Sequence, residues 1–434
     1  MDKMADVLGR AGAWCGQNKY LSAIKNAFQN FMPLTIAGAI GVLWCNVLVN
    51  DQTGLGLFFK PIMALDFLNP AFQAVNFCTI SCITVGITLG IAQEIGVWNM
   101  GAERAGYIPG LVGLAAWLSV TNTSHMVDGA KEAFTGIAGN ELGATGLFTG
   151  MIIGVLSVEL FCFFEKQDAL KIKMPEQVPP GVARAFEVLV PATITLIITA
   201  CIGSACYNLT GLYLNDVIKN GIQGPLGAVG ATIPGVMIIY LVIMLFWLVG
   251  IHGNNMLSAV KEALFTPLAL ENVEAFNKGE TPKNIINMYA LQMWGEFGGS
   301  GVTIGLVIAI MIFGKREDNK AIATLSLVPG LFNINETVTF GIPMVLNPIL
   351  GIPFVFACLV TILVGYVLTV IGFCPVACLT VPWTTPPLVF GFLATGANIM
   401  GAVTQAILIV VSTVIYTPFL IAYEKYQNKQ AAEV

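Results

Sequence analysis

The sequence predicts an all-α, polytopic membrane protein with about ten transmembrane helices and two re-entrant hairpins. Composition indicates the class, because 56% of the 434 residues are hydrophobic and only 10% are charged. Soluble domains carry about 25% charged residues. In addition, apolar runs close to the roughly 20 residues needed to cross a hydrocarbon core recur along the chain. These runs favour one membrane-embedded unit over two or three soluble domains.

Six regular spans are predicted in the first part of the chain. They cover approximately residues 31–49, 75–92, 107–120, 144–164, 188–209 and 229–251. The preceding residues, 5–30, are polar with apolar positions at roughly helical spacing, which fits a helix on the membrane surface. An ordinary solvated helix is the alternative. No cleavable signal peptide is expected, because this segment lacks an alanine-type cleavage site.

The hydrophobic pattern changes after residue 251. Short apolar segments at 256–270 and 285–297 flank a polar tip, and segments at 321–331 and 337–346 flank an asparagine-rich turn. Short or glycine- and proline-interrupted segments are the usual pattern of re-entrant hairpins and of transporter sites. Full spans are predicted at about 302–313, 354–373 and 398–422.

Lysine and arginine residues in short loops predict the orientation. They are Lys3, Arg10, Lys19 and Lys25 in the N-terminal arm, Lys166, Lys171, Lys173 and Arg184 after the fourth span, and Lys425 and Lys429 in the C-terminal tail. Cytoplasmic loops are enriched in these two residue types. All three segments, and therefore both termini, are predicted to be cytoplasmic.

One carboxyl group is isolated in the last third of the chain. Between Ala321 and Tyr423 the only charged side chain is Glu336, within Asn333-Ile334-Asn335-Glu336-Thr337. An acid near the centre of a membrane helix costs about 2.5–3.5 kcal/mol on insertion scales. Such residues normally face a cavity or a partner, which indicates a functional role for Glu336.

His252 lies at a second interruption of the hydrophobic pattern, in Gly250-Ile251-His252-Gly253-Asn254-Asn255. Taken alone, it fits a helix-end histidine at the headgroup level equally well. Together with Glu336 it offers an imidazole, a carboxylate and the amides of Asn254, Asn255 and Asn335, with little net charge. This combination suits a neutral polyhydroxylated solute better than an ion.

Trp383, in Pro382-Trp383-Thr384-Thr385-Pro386-Pro387, is a candidate to pack against the apolar face of a sugar ring. A tryptophan of the interfacial aromatic belt is an equal alternative. Trp247 and Trp294 are weaker candidates, which we expect to pack in the core or in the belt.

Other chemistries lack support in the sequence. The ten cysteines include no CxxC pair and mostly lie within apolar runs, so no disulfide framework is predicted. Neither a metal-ligand spacing nor a Ser-His-Asp arrangement is evident, and we expect no metal and no cofactor. The net charge of −5, with scattered basic residues, gives no nucleic-acid patch. The run Gly298-Gly299-Ser300-Gly301 lacks the lysine of a phosphate loop and is expected to form a tight turn or a close helix contact.

These motifs, together with Val302-Thr303 after the glycine run and residues 340–348 after Glu336, resemble the sugar-translocating IIC component of phosphotransferase-system permeases. The resemblance is to the lactose/cellobiose/diacetylchitobiose type and covers essentially the whole chain. It implies a homodimer in the bacterial cell (inner) membrane. Residues 1–220 would form the dimer interface, and residues 221–434 would bind and transport the substrate with two re-entrant hairpins.

The resemblance also implies roles for individual residues. His252 and Glu336 would lie beside the sugar hydroxyl that becomes phosphorylated, and Trp383 would pack against the sugar. The phosphoryl donor would be a phosphocysteine on a IIB protein, which works with a IIA protein. Because the sequence contains no IIB-like cysteine loop, that donor is expected on a separate partner. Glu296 departs from the family pattern, which is more apolar at this position, and the choice among cellobiose, diacetylchitobiose and lactose stays open.

The leading hypothesis is therefore group translocation, in which a disaccharide is bound outside, moved and phosphorylated at the cytoplasmic face. The alternative is an ion-coupled secondary sugar transporter with Glu336 as the proton site. An intramembrane hydrolase ranks third, because it requires a second acid near Glu336 at glycosidase spacing.

Overall fold

The chain is almost entirely α-helical, which confirms the predicted all-α class. The structure is a computed structural model that describes residues 10, 14, 17–51, 55–125, 134–175, 177–342 and 344–433. Within these ranges the only strands are β1 (Ser124–His125) and β2 (Phe134–Thr135), which pair antiparallel. Beyond residue 16 the chain divides into two compact units. We call residues 17–38 and 74–227 the first unit, and residues 39–73 and 228–434 the second unit.

The α-helices differ widely in length. In chain order they are α1 (Lys19–Leu43), α2 (Asn69–Asn76), α3 (Ile83–Met100), α4 (Ala102–Ala105), α5 (Ile108–Val120), α6 (Gly139–Leu142), α7 (Ala144–Glu165), α8 (Pro180–Thr210), α9 (Leu214–Ile218), α10 (Gly224–Gly230), α11 (Ile233–Leu248), α12 (Gly253–Met256), α13 (Ser258–Asn277), α14 (Met288–Gly295), α15 (Ile304–Phe313), α16 (Glu317–Leu331), α17 (Glu336–Gly341), α18 (Gly351–Val370), α19 (Val389–Ala394) and α20 (Ile399–Glu433). Short 3₁₀ or π turns occupy Trp44–Leu48, Leu55–Leu57, Lys60–Leu68, Phe77–Ser81, Asp168–Leu170, Lys219–Gln223 and Ser300–Val302.

Several of these helices are long and apolar enough to cross a membrane. Among the described residues they are Lys19–Leu48, Ala144–Glu165, Pro180–Thr210, Gly351–Val370 and Ile399–Gln430. Two further candidates are bent pairs, with angles of 42° at the start of α3 and 59° at the start of α15. Helices α5 and α11 are apolar but shorter. The structure thus has the pattern of a polytopic membrane protein, and the count of about ten spans stays a prediction.

The first span begins earlier than predicted. The expected boundary near residue 30, between a surface helix and a span, is absent because α1 runs without a break from Lys19 to Leu43. The polar residues of its first half contact another helix. The side-chain amides of Asn26 and Asn30 donate to Glu94 of α3 at 2.9 and 3.5 Å. These contacts within the first unit explain why the polar segment continues into the apolar one, and the residues before 17 lie largely outside the described ranges.

The first limb of the predicted hairpin region is also longer than expected. Helix α13 has 20 residues and extends through Glu271 and Glu274 into the segment predicted as a polar tip. It ends where Gly279 adopts a left-handed conformation with φ of 72°, a common way to stop a helix. The return limb contains the short helix α14 and then the bend into α15. The second hairpin region is made of α16 and α17, which pack on each other.

Glycines allow close approach of helices within each unit. A Cβ atom added to Gly113 in the first unit would lie 2.3 Å from the Cβ of Ala92. In the second unit a Cβ on Gly365 would lie 2.3 Å from the indole of Trp294. Small residues at helix contacts are typical of membrane bundles, in which packing replaces much of the hydrophobic driving force.

Gln405 of α20 caps the N-terminus of α19. Its Oε1 accepts hydrogen bonds from the backbone amides of Leu388 and Gly391 at 2.8 and 2.7 Å, and its Nε2 donates to the carbonyl of Met293 at 3.2 Å. The side chain is almost completely buried. Helix N-termini leave several N–H groups without intrahelical partners. Gln405 supplies the acceptor oxygen for two of these groups at the start of α19.

Substitution of Gln405 tests this role. In Gln405→Leu the two amides lose their acceptor in an apolar environment, and each buried unsatisfied group costs about 1–3 kcal/mol. We expect a lowered free energy of unfolding in detergent, measured by denaturant titration. Thr413→Val is the matched control on the same helix, because the Thr413 hydroxyl donates only to the carbonyl of Ile409. Equal stability of the two variants would contradict the capping role.

Candidate functional site

The break that carries His252 separates α11 from α13. Gly250 turns the chain with φ of 80°, and His252 then caps the short helix α12. Its Nδ1 accepts from the backbone amide of Asn255 at 3.3 Å, so in the neutral imidazole Nε2 carries the proton. The imidazole also packs on the buried indole of Trp247, with ring centroids 4.4 Å apart. The ring is thereby oriented from two sides.

The break that carries Glu336 separates α16 from α17. Asn333 adopts a left-handed conformation with φ of 63°, which asparagine tolerates better than most residues. Glu336 is the first residue of α17. The helix dipole favours a negative charge at this N-terminal end. Its side chain is about half exposed, and its Oε1 lies 3.9 Å from Nε2 of His252. The two ionisable groups singled out by the sequence therefore face each other.

The glycine run connects these breaks. Three of its residues have positive φ: Gly298, Gly299 and Gly301. The backbone amide of Gly298 donates to Oδ1 of Asn333 at 2.6 Å. The turn expected from the sequence is thus confirmed, and in addition it is hydrogen-bonded to the Glu336 segment.

Ser300 is the central contact of this turn. Its carbonyl accepts from Nδ2 of the buried Asn335 at 2.8 Å, and its hydroxyl accepts from Nδ2 of Asn254 at 3.0 Å. Ser300 therefore bonds both to Asn335, which precedes Glu336, and to Asn254, which lies two residues after His252. Asn255 is exposed and contributes its backbone amide to His252.

The Trp383 loop joins the same group of segments through Asn333. Nδ2 of Asn333 donates to the carbonyls of Trp383 and Thr385 at 2.5 and 3.0 Å. The indole of Trp383 is 45% exposed and so stays available for a solute. Trp294 is completely buried, as expected for a packing residue. All four sequence motifs thus meet in one region of the second unit.

The hairpin that carries Glu336 is anchored at its other end. Glu424 of α20, 5% exposed, accepts from the backbone amides of Lys315 and Arg316 at 2.8 and 3.3 Å and from Nδ2 of Asn319 at 3.1 Å. The Arg316 guanidinium bonds to Asp318 and holds the pKa of that carboxyl below its usual range. These hydrogen bonds therefore hold the N-terminal end of α16 against α20.

Sequence reasoning missed an ion pair beside the site. Lys261 of α13 pairs with Glu296, and the hydroxyl of Tyr240 donates to the same carboxylate at 2.7 Å. Two opposite charges in short apolar segments were the available signal, but the sequence does not show which partner each finds. Among the described residues no group of three or more His, Cys, Asp or Glu side chains is arranged to hold a metal ion.

Gly299 provides a test of the glycine turn. A Cβ at this position would lie 2.6 Å from the Cβ of Asn335, and φ is 87°. Gly279 is the matched control, because its φ is 72° and a Cβ there meets no atom within 4 Å. Both alanine variants carry a backbone cost from positive φ, and it is larger for Gly299→Ala because φ of 87° with ψ of −175° is a region essentially restricted to glycine. Gly299→Ala also adds overpacking of about 1–3 kcal/mol. We expect the larger loss of unfolding free energy for Gly299→Ala, and similar losses for both would contradict the tight contact.

Comparison with known proteins places this chain in a family. The family model described as "Phosphotransferase system, EIIC" matches residues 25–358. The chain is 33% identical to the oligo-beta-mannoside-specific EIIC component of Bacillus subtilis, over 98% of this chain and 94% of that protein. It is 29% identical to the cellobiose-specific EIIC component of Lactococcus lactis, over 98% of each.

A solved structure and a longer relative agree with these matches. The crystal structure of ChbC, the IIC component of an N,N'-diacetylchitobiose-specific phosphotransferase system, aligns with a TM-score of 0.88 and 30% identity over 97% of both chains. The lactose-specific EIICB component of Streptococcus mutans is 31% identical over 96% of this chain but only 71% of its own length. The chain therefore belongs to the EIIC family and is a membrane-embedded, sugar-specific component of a bacterial phosphotransferase system.

Proposed function

We propose that this protein binds a β-linked disaccharide of the cellobiose or diacetylchitobiose type from outside, translocates it and presents one of its hydroxyl groups for phosphorylation. The proposal draws on the substrates named for its relatives, cellobiose and diacetylchitobiose among them. The phosphoryl donor is a phosphocysteine on a IIB protein that receives its phosphoryl group through a IIA protein. The sugar leaves on the cytoplasmic side as its phosphate.

The observation that carries the proposal is the placement of His252 opposite Glu336. Their nearest nitrogen and oxygen atoms are 3.9 Å apart, which is too far for a direct hydrogen bond. A sugar hydroxyl between them accepts from the protonated Nε2 and donates to the carboxylate. In phosphoryl transfer the protein contributes mainly positioning and electrostatic stabilisation. An oriented hydroxyl oxygen is what an in-line attack on phosphorus requires: the new O–P bond forms as the P–S bond of the IIB phosphocysteine breaks, the cysteine leaves as its thiolate, and the hydroxyl proton passes to the Glu336 carboxylate.

The neighbouring side chains complete the proposed sugar site. Asn335, Asn254 and Asn255 provide amide groups around the pair, and Trp383 provides an exposed indole face. Amides donate and accept hydrogen bonds without adding charge, which suits a neutral sugar. The C–H face of a pyranose ring packs on an indole as other apolar surfaces do.

The assembly we propose contains other proteins. IIB and IIA are soluble partners of this membrane component, and the existence of a lactose-specific EIICB relative supports a close functional connection between IIC and IIB. The protein acts as a homodimer, with residues 1–220 providing the interface, and both termini face the cytoplasm. An ion-coupled transporter with Glu336 as the proton site is not favoured, because the match to EIIC components extends over almost the whole chain.

Uptake by membrane vesicles tests group translocation. Vesicles loaded with phosphoenolpyruvate and the soluble phosphotransferase proteins are expected to accumulate labelled cellobiose as its phosphate. Vesicles without phosphoenolpyruvate serve as the control and should accumulate none. Accumulation of unmodified sugar driven by a proton or sodium gradient would refute the proposal and support the ion-coupled alternative.

Variants of the opposed pair test the sugar site. A hydrogen bond to a charged group contributes about 1.5–3 kcal/mol, so Glu336→Gln should weaken disaccharide binding about 10- to 100-fold, measured by calorimetry on purified protein. His252→Ala should also weaken binding. Glu274→Gln is the control, because Glu274 pairs with Lys278 at an exposed position. Parental affinity in both site variants would show that the sugar binds elsewhere.

A further inference from the structure

The ion pair between Lys261 and Glu296 is buried beside the proposed sugar site. The side chains are 7% and 17% exposed, and Tyr240, which donates to the same carboxylate, is completely buried. Lys261 Nζ also lies 5.4 Å from the centroid of the Tyr240 ring. Both donors therefore use one oxygen, Oε1 of Glu296.

The three residues come from the elements that surround His252. Tyr240 lies on α11, which leads into the His252 break, and Lys261 lies on α13, which follows the break. A single carboxylate oxygen therefore connects the helices on both sides of His252. If α11 and α13 moved apart at these positions, at least one of the two contacts to Glu296 would be lost.

Glu296 also belongs to the support of Glu336. It follows α14, and its backbone carbonyl accepts from the amide of Gly299 at 3.1 Å. Gly299 contacts Asn335 closely, and the next residue, Ser300, accepts from Asn335. Glu296 is thus placed between the two segments whose ionisable side chains face each other.

Stability alone is a weak reason for this arrangement. Removing two charges from water costs several kcal/mol per ion, and replacing a buried pair by apolar residues of similar volume is often neutral or stabilising. The pair fixes a geometry, however, because each donor must reach the same oxygen. A displacement of about 1 Å in a reacting group reduces a rate by about 100-fold.

We propose that Lys261, Glu296 and Tyr240 are positioning residues that hold His252 at the correct distance from Glu336 for phosphorylation of the sugar. The inference rests on the function proposed above. It assigns the ion pair to the phosphorylation step rather than to the affinity for the sugar. Glu296 therefore acts through His252, and its carboxylate is occupied by protein donors.

The test uses a double variant that removes both charges. In Lys261→Met/Glu296→Gln neither member of the pair is left as an unpaired charge, and the glutamine oxygen can still accept from Tyr240. We expect sugar affinity within about threefold of the parent and a phosphorylation rate reduced about tenfold or more, because positioning affects the reacting geometry. Phosphorylation is measured with purified phosphorylated IIB protein and labelled disaccharide. Lys278→Met/Glu274→Gln is the matched control, since it removes an exposed ion pair at the C-terminal end of α13, the helix that also carries Lys261.

The other outcomes overturn the inference. A parental phosphorylation rate in the double variant would show that the pair is dispensable. A rate that falls only in proportion to the folded fraction, measured by thermal unfolding, would make the pair purely structural. A large loss of affinity without loss of maximal rate would mean that Glu296 contacts the sugar itself.

The assay separates this inference from the function on which it rests. A parent protein that phosphorylates no β-linked disaccharide with phosphorylated IIB refutes the proposed function and the inference together. An active parent with an equally active double variant refutes only the inference. Lys261→Arg keeps the positive charge and Lys261→Met removes it. A higher phosphorylation rate in Lys261→Arg than in Lys261→Met would support the positioning role further.

Discussion

The glycine turn at residues 298–301 is the constraint on which the candidate site depends. Two breaks in helices leave backbone groups without helical partners, and side-chain amides from the neighbouring segment bond to some of them. Asn333 bonds to Gly298, and Asn335 bonds to the Ser300 carbonyl. Such bonds are possible only where the backbone can adopt left-handed conformations and where no Cβ prevents close approach. The turn therefore determines how near the two breaks lie to each other.

Polar side chains in this region divide into two groups. The Nδ2 group of the buried Asn335 donates to the Ser300 carbonyl, so this donor is committed to a protein contact. His252 and Glu336 are partly exposed and not bonded to each other. In the proposed site the rigid support is thus separate from the groups that would meet the substrate. An intramembrane acid is costly, and its use as an exposed, oriented acceptor provides a functional reason for that cost.

Much of the fold follows from hydrophobic patterning. The predicted spans near 107–120 and 144–164 coincide almost residue for residue with α5 and α7. A continuous apolar run bounded by loop residues forms a single helix, so its ends can be read from the sequence. The prediction failed at α1 and α13, where polar residues continue a helix. Asn26 on α1 contacts Glu94, a partner far away in sequence. Local pattern cannot distinguish a polar residue that faces solvent from one that pairs inside a bundle.

The sequence by itself determined the class of protein, the position of each break and the polar residues at those breaks. Isolated polar groups such as His252 and Glu336 are visible without a structure, because the surrounding apolar background makes their cost evident. Only the tertiary structure decided that these groups face each other and that Asn333 connects the glycine turn to the Trp383 loop. It also showed that Lys261 and Glu296 neutralise each other. These are contacts between distant segments, and their partners are selected by packing rather than by spacing along the chain.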